Sequence, residues 1–344
     1  MKKHRNIPIF VPHLGCPNTC VFCNQRKISG HEKADFSSAE GEIEAALATI
    51  PQGTDVQIAY FGGSFTGIDR EDMIYLLALA KKYIDEGRVQ SIRLSTRPDY
   101  IDEEILDILS RYGVRSIELG IQSMCDDVLA ASGRGHTAAQ TERACKLICE
   151  RGFELVGQMM TGLPCSTLEK DKYTAEKICA MGASGARIYP TVVFRGTELE
   201  NMMNRGGYKS REMENVIAEG AELVGIFARH GVKIIRIGLQ ASELLTEGSE
   251  TVSPYHEATG ELIWARYLRN EAESALAGEQ TAGKRAVFTV AKGSTSKMVG
   301  QKKENLIYLK EKYSLCDIKV RESEALSCDK IEMILEERKK AYAT

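Results

Sequence analysis

Long apolar runs are missing from this sequence of 344 residues, although 43% of its residues are apolar. A helix that spans a membrane needs about 20 consecutive apolar residues, and no stretch approaches that length. The basic start, Met1 to Arg5, leads into a short apolar stretch that contains Pro8 and Pro12, which argues against a secretory signal. We therefore expect a cytoplasmic globular protein with no membrane partner, of one large domain or two ordinary ones.

Export signals are absent while cysteine is plentiful, with ten cysteines in the chain. This combination predicts reduced thiols, some of them held on a metal. Three of the cysteines lie in the run Cys16-Pro17-Asn18-Thr19-Cys20-Val21-Phe22-Cys23, after a short predicted strand. Thiolates are the normal ligands of iron–sulfur clusters. Three thiolates for a cube of four irons leave one iron open, and an open iron can bind a small molecule.

Zinc is the competing interpretation of the same run. Structural zinc sites are closed by four ligands, and the nearest fourth candidates, His13 and His31, fall outside the usual spacings. The six histidines of the chain show no metal-ligand spacing elsewhere. We therefore expect Cys16, Cys20 and Cys23 to hold an iron–sulfur cluster rather than zinc.

Strands and helices alternate through the first 240 residues, at roughly 30 residues per unit, which favours a parallel sheet with right-handed crossovers. Clusters of glycine and polar residues follow the strands directly, as in β/α barrels, where the carboxyl ends of the strands form the active face. An open doubly wound sheet would also bind ligands there, but no G-x-G-x-x-G follows the first strand. We predict an α/β protein: a partial TIM-type (β/α)6 barrel over residues 1–240 and a smaller C-terminal helical and α/β region over 241–344. The strands are predicted at Ile7–Val11, Asp55–Phe61, Val89–Ser95, Val114–Leu119, Phe153–Met160, Ala186–Tyr189, Val232–Ile237, Ala286–Lys292 and Asp317–Val320.

Charge is unevenly spread along the chain. Between Lys284 and Val320, nine lysines and arginines stand against three acidic residues, a net charge of +6, so the remainder carries −9. This segment is the expected place for an anionic partner. Within it, Gly293 to Lys303 is predicted to be a flexible basic loop that opens a helix, with a spacing similar to the glycine loop of KH RNA-binding domains. RNA contact and a merely solvated surface are both open here.

The cysteine run resembles the signature of the radical S-adenosylmethionine (radical SAM) enzymes, in which S-adenosylmethionine (SAM) chelates the fourth iron. The resemblance implies a 4Fe–4S cluster on Cys16, Cys20 and Cys23, with SAM as the second cofactor. It also implies reductive cleavage of SAM to a 5′-deoxyadenosyl radical, which abstracts hydrogen from a substrate over the barrel mouth. A reductant protein of the flavodoxin or ferredoxin type would supply the electron.

Two further features match SAM-binding positions of this family. Gly62, Gly63 and Ser64 match the glycine-rich stretch after the second strand that meets the methionine amino group of SAM. Glycine lets backbone groups approach a ligand without a Cβ in the way, although most glycine pairs simply mark turns. Phe22, beside the third cysteine, matches an aromatic residue near the adenine, and an ordinary loop anchor is its alternative role.

Gln122 and Arg134 match residues that contact SAM in the branch that resembles coproporphyrinogen oxidase. A solvated surface position is the alternative for both. Ser95 occupies the place where relatives often carry a ribose-binding glutamate, so this sequence departs from the family pattern there. Ser95 is kept as a candidate cofactor-binding residue, and this departure leaves its role in ribose recognition open.

Five motifs in order over about 200 residues resemble the radical SAM half of the Elongator catalytic subunit, a family that modifies the wobble uridine of tRNA. The cysteine spacing here is the common one rather than the longer Elongator pattern. About 100 residues follow the predicted barrel, which is short for the acetyltransferase domain of that family. The fold and the radical step are therefore implied, whereas the acetyl-CoA half is not. The motifs are Ser95-Thr96-Arg97-Pro98-Asp99-Tyr100, Glu118-Leu119-Gly120-Ile121-Gln122-Ser123, Arg134-Gly135-His136-Thr137, Met159-Met160-Thr161-Gly162-Leu163-Pro164, and Ile188-Tyr189-Pro190-Thr191 with Arg195-Gly196-Thr197-Glu198-Leu199.

These observations favour a radical SAM enzyme that acts on tRNA or another RNA. A small-molecule substrate such as a porphyrin, and a non-catalytic RNA-binding or redox-sensing module, are the alternatives. Tyr189, Arg195 and Arg236 lie at later strand ends, where they could face the substrate or serve in the core or in salt bridges. The remaining cysteines could be buried apolar residues or a second cluster. Those considered for the second cluster are Cys125, Cys145, Cys149, Cys165 and Cys179.

Overall fold

A computed structural model describes residues 4–11, 20–23, 36–239 and 250–337. Seven strands form one sheet in chain order, and each pairs in parallel with the next. The sheet curls into a partial barrel, which confirms the predicted fold class, with a seventh strand added to the six of the (β/α)6 pattern. The strands are β1 His4–Val11, β2 Asp55–Gly62, β3 Ser91–Thr96, β4 Val114–Gln122, β5 Glu154–Thr161, β6 Gly185–Pro190 and β7 Lys233–Ile237.

Helices connect the strands, and side-chain caps fix where several of them begin. The Asp69 carboxylate accepts a hydrogen bond from the backbone N–H of Glu71. Thr137 and Gln140 form a capping box, with both reciprocal bonds present. The helices are α1 Ala39–Thr49, α2 Arg70–Asp85, α3 Glu103–Arg111, α4 Asp126–Ala131, α5 Ala138–Glu150, α6 Leu168–Ala180, α7 Glu198–Asn204 and α8 Met213–Arg229.

The sheet is buried on both faces, but the two faces differ in chemistry. On β4, Ile117, Leu119 and Ile121 belong to the apolar core that the helices cover. The alternate residues Ser116 and Glu118 are buried polar groups on the opposite, inner face. The helices are therefore held by apolar packing, whereas the barrel interior presents polar side chains.

The C-terminal region contains a long helix and a second, three-stranded sheet. Its strand order is β10-β8-β9, with β8 parallel to β9 and antiparallel to β10. The sequence did not predict β10, and the predicted domain boundary at residues 240–241 lies outside the described residues. The elements are α9 Thr259–Leu276, β8 Arg285–Ala291, α10 Thr295–Val299, α11 Glu304–Lys312, β9 Asp317–Ser323 and β10 Ile331–Glu336.

The predicted flexible loop from Gly293 to Lys303 is wrong in part, because it contains α10 and a tight turn at Gly300. Asn305 is 1% exposed, and its amide donates to the carbonyls of Ala265 and Met298, which fixes the turn against α9. Charge is also less concentrated than predicted, because five of the nine basic residues pair with carboxylates. The pairs are Lys284–Glu337, Arg285–Asp317, Lys292–Glu324, Lys297–Glu261 and Lys312–Glu273. RNA contact in this segment remains a prediction.

No helix among the described residues combines the length and apolar character needed to cross a membrane.

Candidate functional site

Residues 20–23, the described part of the cysteine run, lie at the carboxyl ends of the strands. Cys20 is 6% exposed and Cys23 is half-buried, and the backbone N–H of Cys23 donates to the carbonyl of Cys20 at 3.0 Å. Val21 between them donates to the carbonyl of Ser132 at 3.0 Å and accepts from the N–H of Leu199 at 2.8 Å. Connections that follow β4 and β6 therefore hold two of the three predicted cluster ligands. Cys16 lies outside the described residues, as do His13 and His31.

Arg134 lies directly beside Cys20. One guanidinium nitrogen is 3.6 Å from the Cys20 Sγ, and the other donates to the carbonyl of Gly120 at 2.9 Å. The residue is 8% exposed, and its Nε has no hydrogen-bond partner among the described residues. The Arg134 guanidinium therefore places a positive charge directly beside a predicted cluster ligand.

Arg97 contacts the backbone of Arg134 and holds it in position. It is 1% exposed, forms two 2.9 Å hydrogen bonds with the Asp99 carboxylate, and donates to the carbonyl of Arg134 at 2.6 Å. A Cβ at Gly120 would lie 2.7 Å from the Arg134 guanidinium, so a larger residue there would have to displace that side chain. The sequence placed Arg97, Asp99 and Gly120 within family-like motifs but assigned them no role. Their contacts join distant segments, which local sequence patterns do not reveal.

Gln122 ends β4 in an unusual conformation. Its φ is 62°, in the left-handed region, and the pairing of β4 with β5 shifts register between Gly120 and Gln122. The side chain is 5% exposed, and its Oε1 has no hydrogen-bond partner in the described part of the chain. Strained backbone and unpaired buried polar atoms cluster at ligand sites. Both features support the predicted ligand contact.

The glycine-rich stretch after β2 packs against the end of β1. Gly62 has φ 114°, and a Cβ on it would lie 2.5 Å from the carbonyl oxygen of Val11 and 2.7 Å from the Phe10 ring. The N–H of Gly63 donates to the same carbonyl at 2.7 Å, and Ser64 is 3% exposed. The stretch predicted to meet SAM therefore touches the strand that leads into the cysteine segment.

The structure brings some predicted residues together and leaves others apart. Gln122 and Arg134 meet at Gly120, where the Gln122 amide nitrogen and an Arg134 guanidinium nitrogen lie 3.3 Å and 2.7 Å from the position that a Cβ would occupy. Phe22 is half-buried in the turn between Cys20 and Cys23. Ser95 lies opposite Glu118 in the pairing of β3 with β4, deeper in the barrel. The roles assigned to all these residues remain predictions.

The described residues fit a 4Fe–4S cluster with SAM. They offer two thiols with an adjacent arginine, a glycine stretch that a Cβ would obstruct, and unpaired buried atoms on Gln122 and Arg134. A second cluster is not supported, because no three His, Cys, Asp or Glu side chains within the described residues lie close enough to hold a metal. Burial instead raises the pKa of the Cys145 thiol to about 12.

His136 is buried beside Arg134, although no role was predicted for any histidine. It is 3% exposed, and its Nε2 donates to the carbonyl of Ile121 at 3.3 Å. Burial, together with the nearby Arg134, lowers the pKa of His136 from 6.5 to about 4. The imidazole is therefore neutral throughout the physiological pH range.

This shift predicts a pH-dependent loss of stability. Between pH 6.5 and about 4 the unfolded histidine binds a proton that folded His136 does not, so stability falls as the pH falls through this window. We expect the free energy of unfolding of wild type to lose about 2 kcal/mol between pH 7 and pH 5 relative to His136→Gln. Urea unfolding at a series of pH values measures it, and replacement of the exposed His230 by glutamine is the control. Equal pH profiles for wild type and His136→Gln would contradict the assignment.

Comparisons with known proteins agree with this geometry. A family model of the radical SAM superfamily matches residues 10–178, and a radical SAM C-terminal domain model matches residues 183–269. Elongator complex protein 3 of Schizosaccharomyces pombe is 31% identical over 252 residues, which cover 61% of this chain and 45% of that protein. The tRNA uridine(34) acetyltransferase of Methanocaldococcus jannaschii is 33% identical over 135 residues, covering 38% of this chain and 25% of that protein.

Among solved structures, the archaeal Elp3 of Methanocaldococcus infernus with an N-terminal deletion shares the fold. Its TM-score is 0.63 at 21% sequence identity, and the match covers 79% of this chain and 64% of that one. The chain spans about half the length of the curated Elongator relatives that it matches.

Proposed function

Because the chain belongs to the radical SAM superfamily, we propose that it uses a 4Fe–4S cluster and SAM to modify an RNA, with tRNA as the first candidate. Cys16, Cys20 and Cys23 would hold the cluster. The observation that carries the proposal is the contact between the Arg134 guanidinium and the Cys20 Sγ at 3.6 Å, beside the unpaired amide oxygen of Gln122. A merely structural buried cysteine would not need a buried cation beside it.

Bound there and reduced, a 4Fe–4S cluster would supply the electron for reductive cleavage of SAM, the chemistry that the family resemblance implies. The residues of this chain bind and orient the reactants. Gly62 and Gly63 keep the end of β2 free of side chains, so that a ligand can approach the backbone. Arg134 places a positive charge beside Cys20, and Arg97 with Asp99 holds Arg134 in place.

The substrate assignment is supported by the relatives named Elongator complex protein 3 and tRNA uridine(34) acetyltransferase. The proposal covers only the radical step. The residues that match the radical SAM family model include the cysteine run and the glycine stretch after β2. A flavodoxin- or ferredoxin-type protein is the proposed electron donor, as in the family that the sequence resembles.

We expect the anaerobically reconstituted, reduced protein to release 5′-deoxyadenosine from SAM, and bulk tRNA to increase this release. Binding of tRNA should weaken as salt rises, because contacts with phosphates release counterions. Mass spectrometry of nucleosides from treated tRNA, and from a deletion strain, would identify the modified base. The control is the same tRNA incubated without SAM.

The RNA assignment would be contradicted if tRNA did not increase the release of 5′-deoxyadenosine and no modified nucleoside formed in the tRNA. That result would favour a small-molecule substrate. A protein that takes up iron but never cleaves SAM would contradict the enzymatic proposal as a whole and leave a non-catalytic cluster module.

A further inference from the structure

The inner face of the later strands carries an excess of positive charge. Arg187 of β6 lies directly opposite Arg236 of β7 in the parallel register, and Tyr189 follows two residues along β6. Like charges at opposed positions of neighbouring strands destabilise a sheet. Such a pair therefore needs a compensating anion.

Glu118 of β4 compensates only part of this charge. It is 3% exposed, and its Oε1 lies 2.8 Å from the Nε of Arg187. Burial raises the pKa of Glu118, while Arg187, Arg93 and Arg236 each act in the opposite direction, which places all three arginines around one carboxylate. Arg93 has a second partner, since it lies 3.6 Å from Glu154.

Arg236 therefore remains without an ion pair or hydrogen bond among the described residues, although it is partly buried. Burying a charge without a partner is costly. The neighbouring residues Tyr189, Gln158 and Met160 are also only partly buried, so solvent reaches this part of the barrel. The barrel interior thus combines a cation that is unpaired among the described residues with neighbours that are accessible to solvent.

This region adjoins the proposed SAM site. The guanidinium carbon of Arg187 lies 5.5 Å from the centre of the Phe61 ring, and Phe61 directly precedes Gly62. A group held by Arg187 and Arg236 would therefore lie beside the glycine stretch, on the side of β6 and β7. Guanidinium groups suit oxyanions because they donate two parallel hydrogen bonds, and the Tyr189 hydroxyl can donate another.

We propose that Arg187, Arg236 and Tyr189 form a substrate subsite that binds an oxyanion, a phosphate or a carboxylate, inside the barrel. This inference rests on the proposed function, because that function places SAM at the neighbouring end of β2. Arg236 is the recognition residue, Arg187 shares its charge between the ligand and Glu118, and Tyr189 adds a hydroxyl donor.

The test measures binding of uridine 5′-monophosphate, uridine and succinate to the full-length protein by calorimetry at low salt. We expect Arg236→Met to weaken binding of the preferred oxyanion probe about tenfold or more, as for loss of a charged hydrogen bond. A preference for the nucleotide over uridine identifies phosphate, and a preference for succinate identifies carboxylate. Arg229→Met, which removes an exposed arginine on α8 paired with Glu176, is the matched control and should bind like wild type.

Two further readouts separate recognition from structure. The unfolding midpoint of Arg236→Met should equal or exceed that of wild type, because an unpaired charge is removed. Affinity for SAM and the release of 5′-deoxyadenosine without substrate are measured for both variants, and Arg229→Met should stay within about twofold of wild type, since less than about 0.4 kcal/mol is then lost. Arg236→Lys, which keeps the charge but not the paired donors, should bind the probe with intermediate affinity.

Equal probe binding by wild type and Arg236→Met would overturn the proposal, as would a lowered midpoint with unchanged binding. Loss of SAM affinity in Arg236→Met would also overturn it, by assigning the arginine to the SAM carboxylate. If wild type binds the probe through Arg236 but never cleaves SAM, the proposed function fails while the subsite stands.

Discussion

Replacement of Cys20 by alanine is expected to give a folded protein that holds no 4Fe–4S cluster and releases no 5′-deoxyadenosine. The change removes one of three predicted ligands and leaves the Arg134 guanidinium without the sulfur that lies 3.6 Å away. Folding should survive because the neighbouring backbone bonds, from Val21 to Ser132 and from Cys23 to the carbonyl of residue 20, do not involve the side chain. Iron and sulfide content after anaerobic reconstitution, with circular dichroism for the fold, measures the effect.

Cys145→Ala is the matched control. Cys145 on α5 is fully buried, and it belongs to no metal-binding group among the described residues. This variant should keep its full iron content and its SAM cleavage, at a small cost in stability. If Cys20→Ala retained iron and turnover, the cluster assignment would be wrong. Wild-type protein that stayed colourless and bound zinc alone would instead favour the closed zinc site.

The barrel could be predicted because its signals are local. Each strand is a short apolar run, and several of the helices between them begin at a capping residue such as Asp69 or Thr137. β10 was missed because it lacks such a signal. The run from Ile331 to Glu336 does not alternate cleanly between apolar and polar residues, because its two exposed positions are taken by Glu332 and by the apolar Ile334, which is 61% exposed. Only its pairing with β8 makes it a strand.

The candidate site was predictable where its chemistry lies in consecutive residues. The cysteine run and the resemblance to radical SAM enzymes needed nothing beyond the sequence, and the family is confirmed by the matching family models. The chain from Asp99 through Arg97 and Arg134 to Cys20 was not predictable, because it joins three segments that meet only in the folded barrel. The partners of the charges in the C-terminal segment were not predictable for the same reason. Its lysines find partners such as Glu261 and Glu273 on α9, outside the counted segment.

Replacement of Gly62 by alanine is expected to abolish SAM binding by the reconstituted protein and to lower its unfolding free energy by at least about 2 kcal/mol. At φ 114° an L-residue is strained, and its Cβ would lie 2.5 Å from the Val11 carbonyl, displacing the backbone that Gly63 also binds. Gly53→Ala is the control, because Gly53 has φ 80° but nothing within 4 Å of its Cβ position. It should lose about 1 kcal/mol and bind SAM normally, since it is strained but unobstructed. Equilibrium dialysis with labelled SAM measures the loss of SAM binding separately from the loss of stability. If Gly62→Ala bound SAM with wild-type affinity, the end of β2 would not be part of the SAM site.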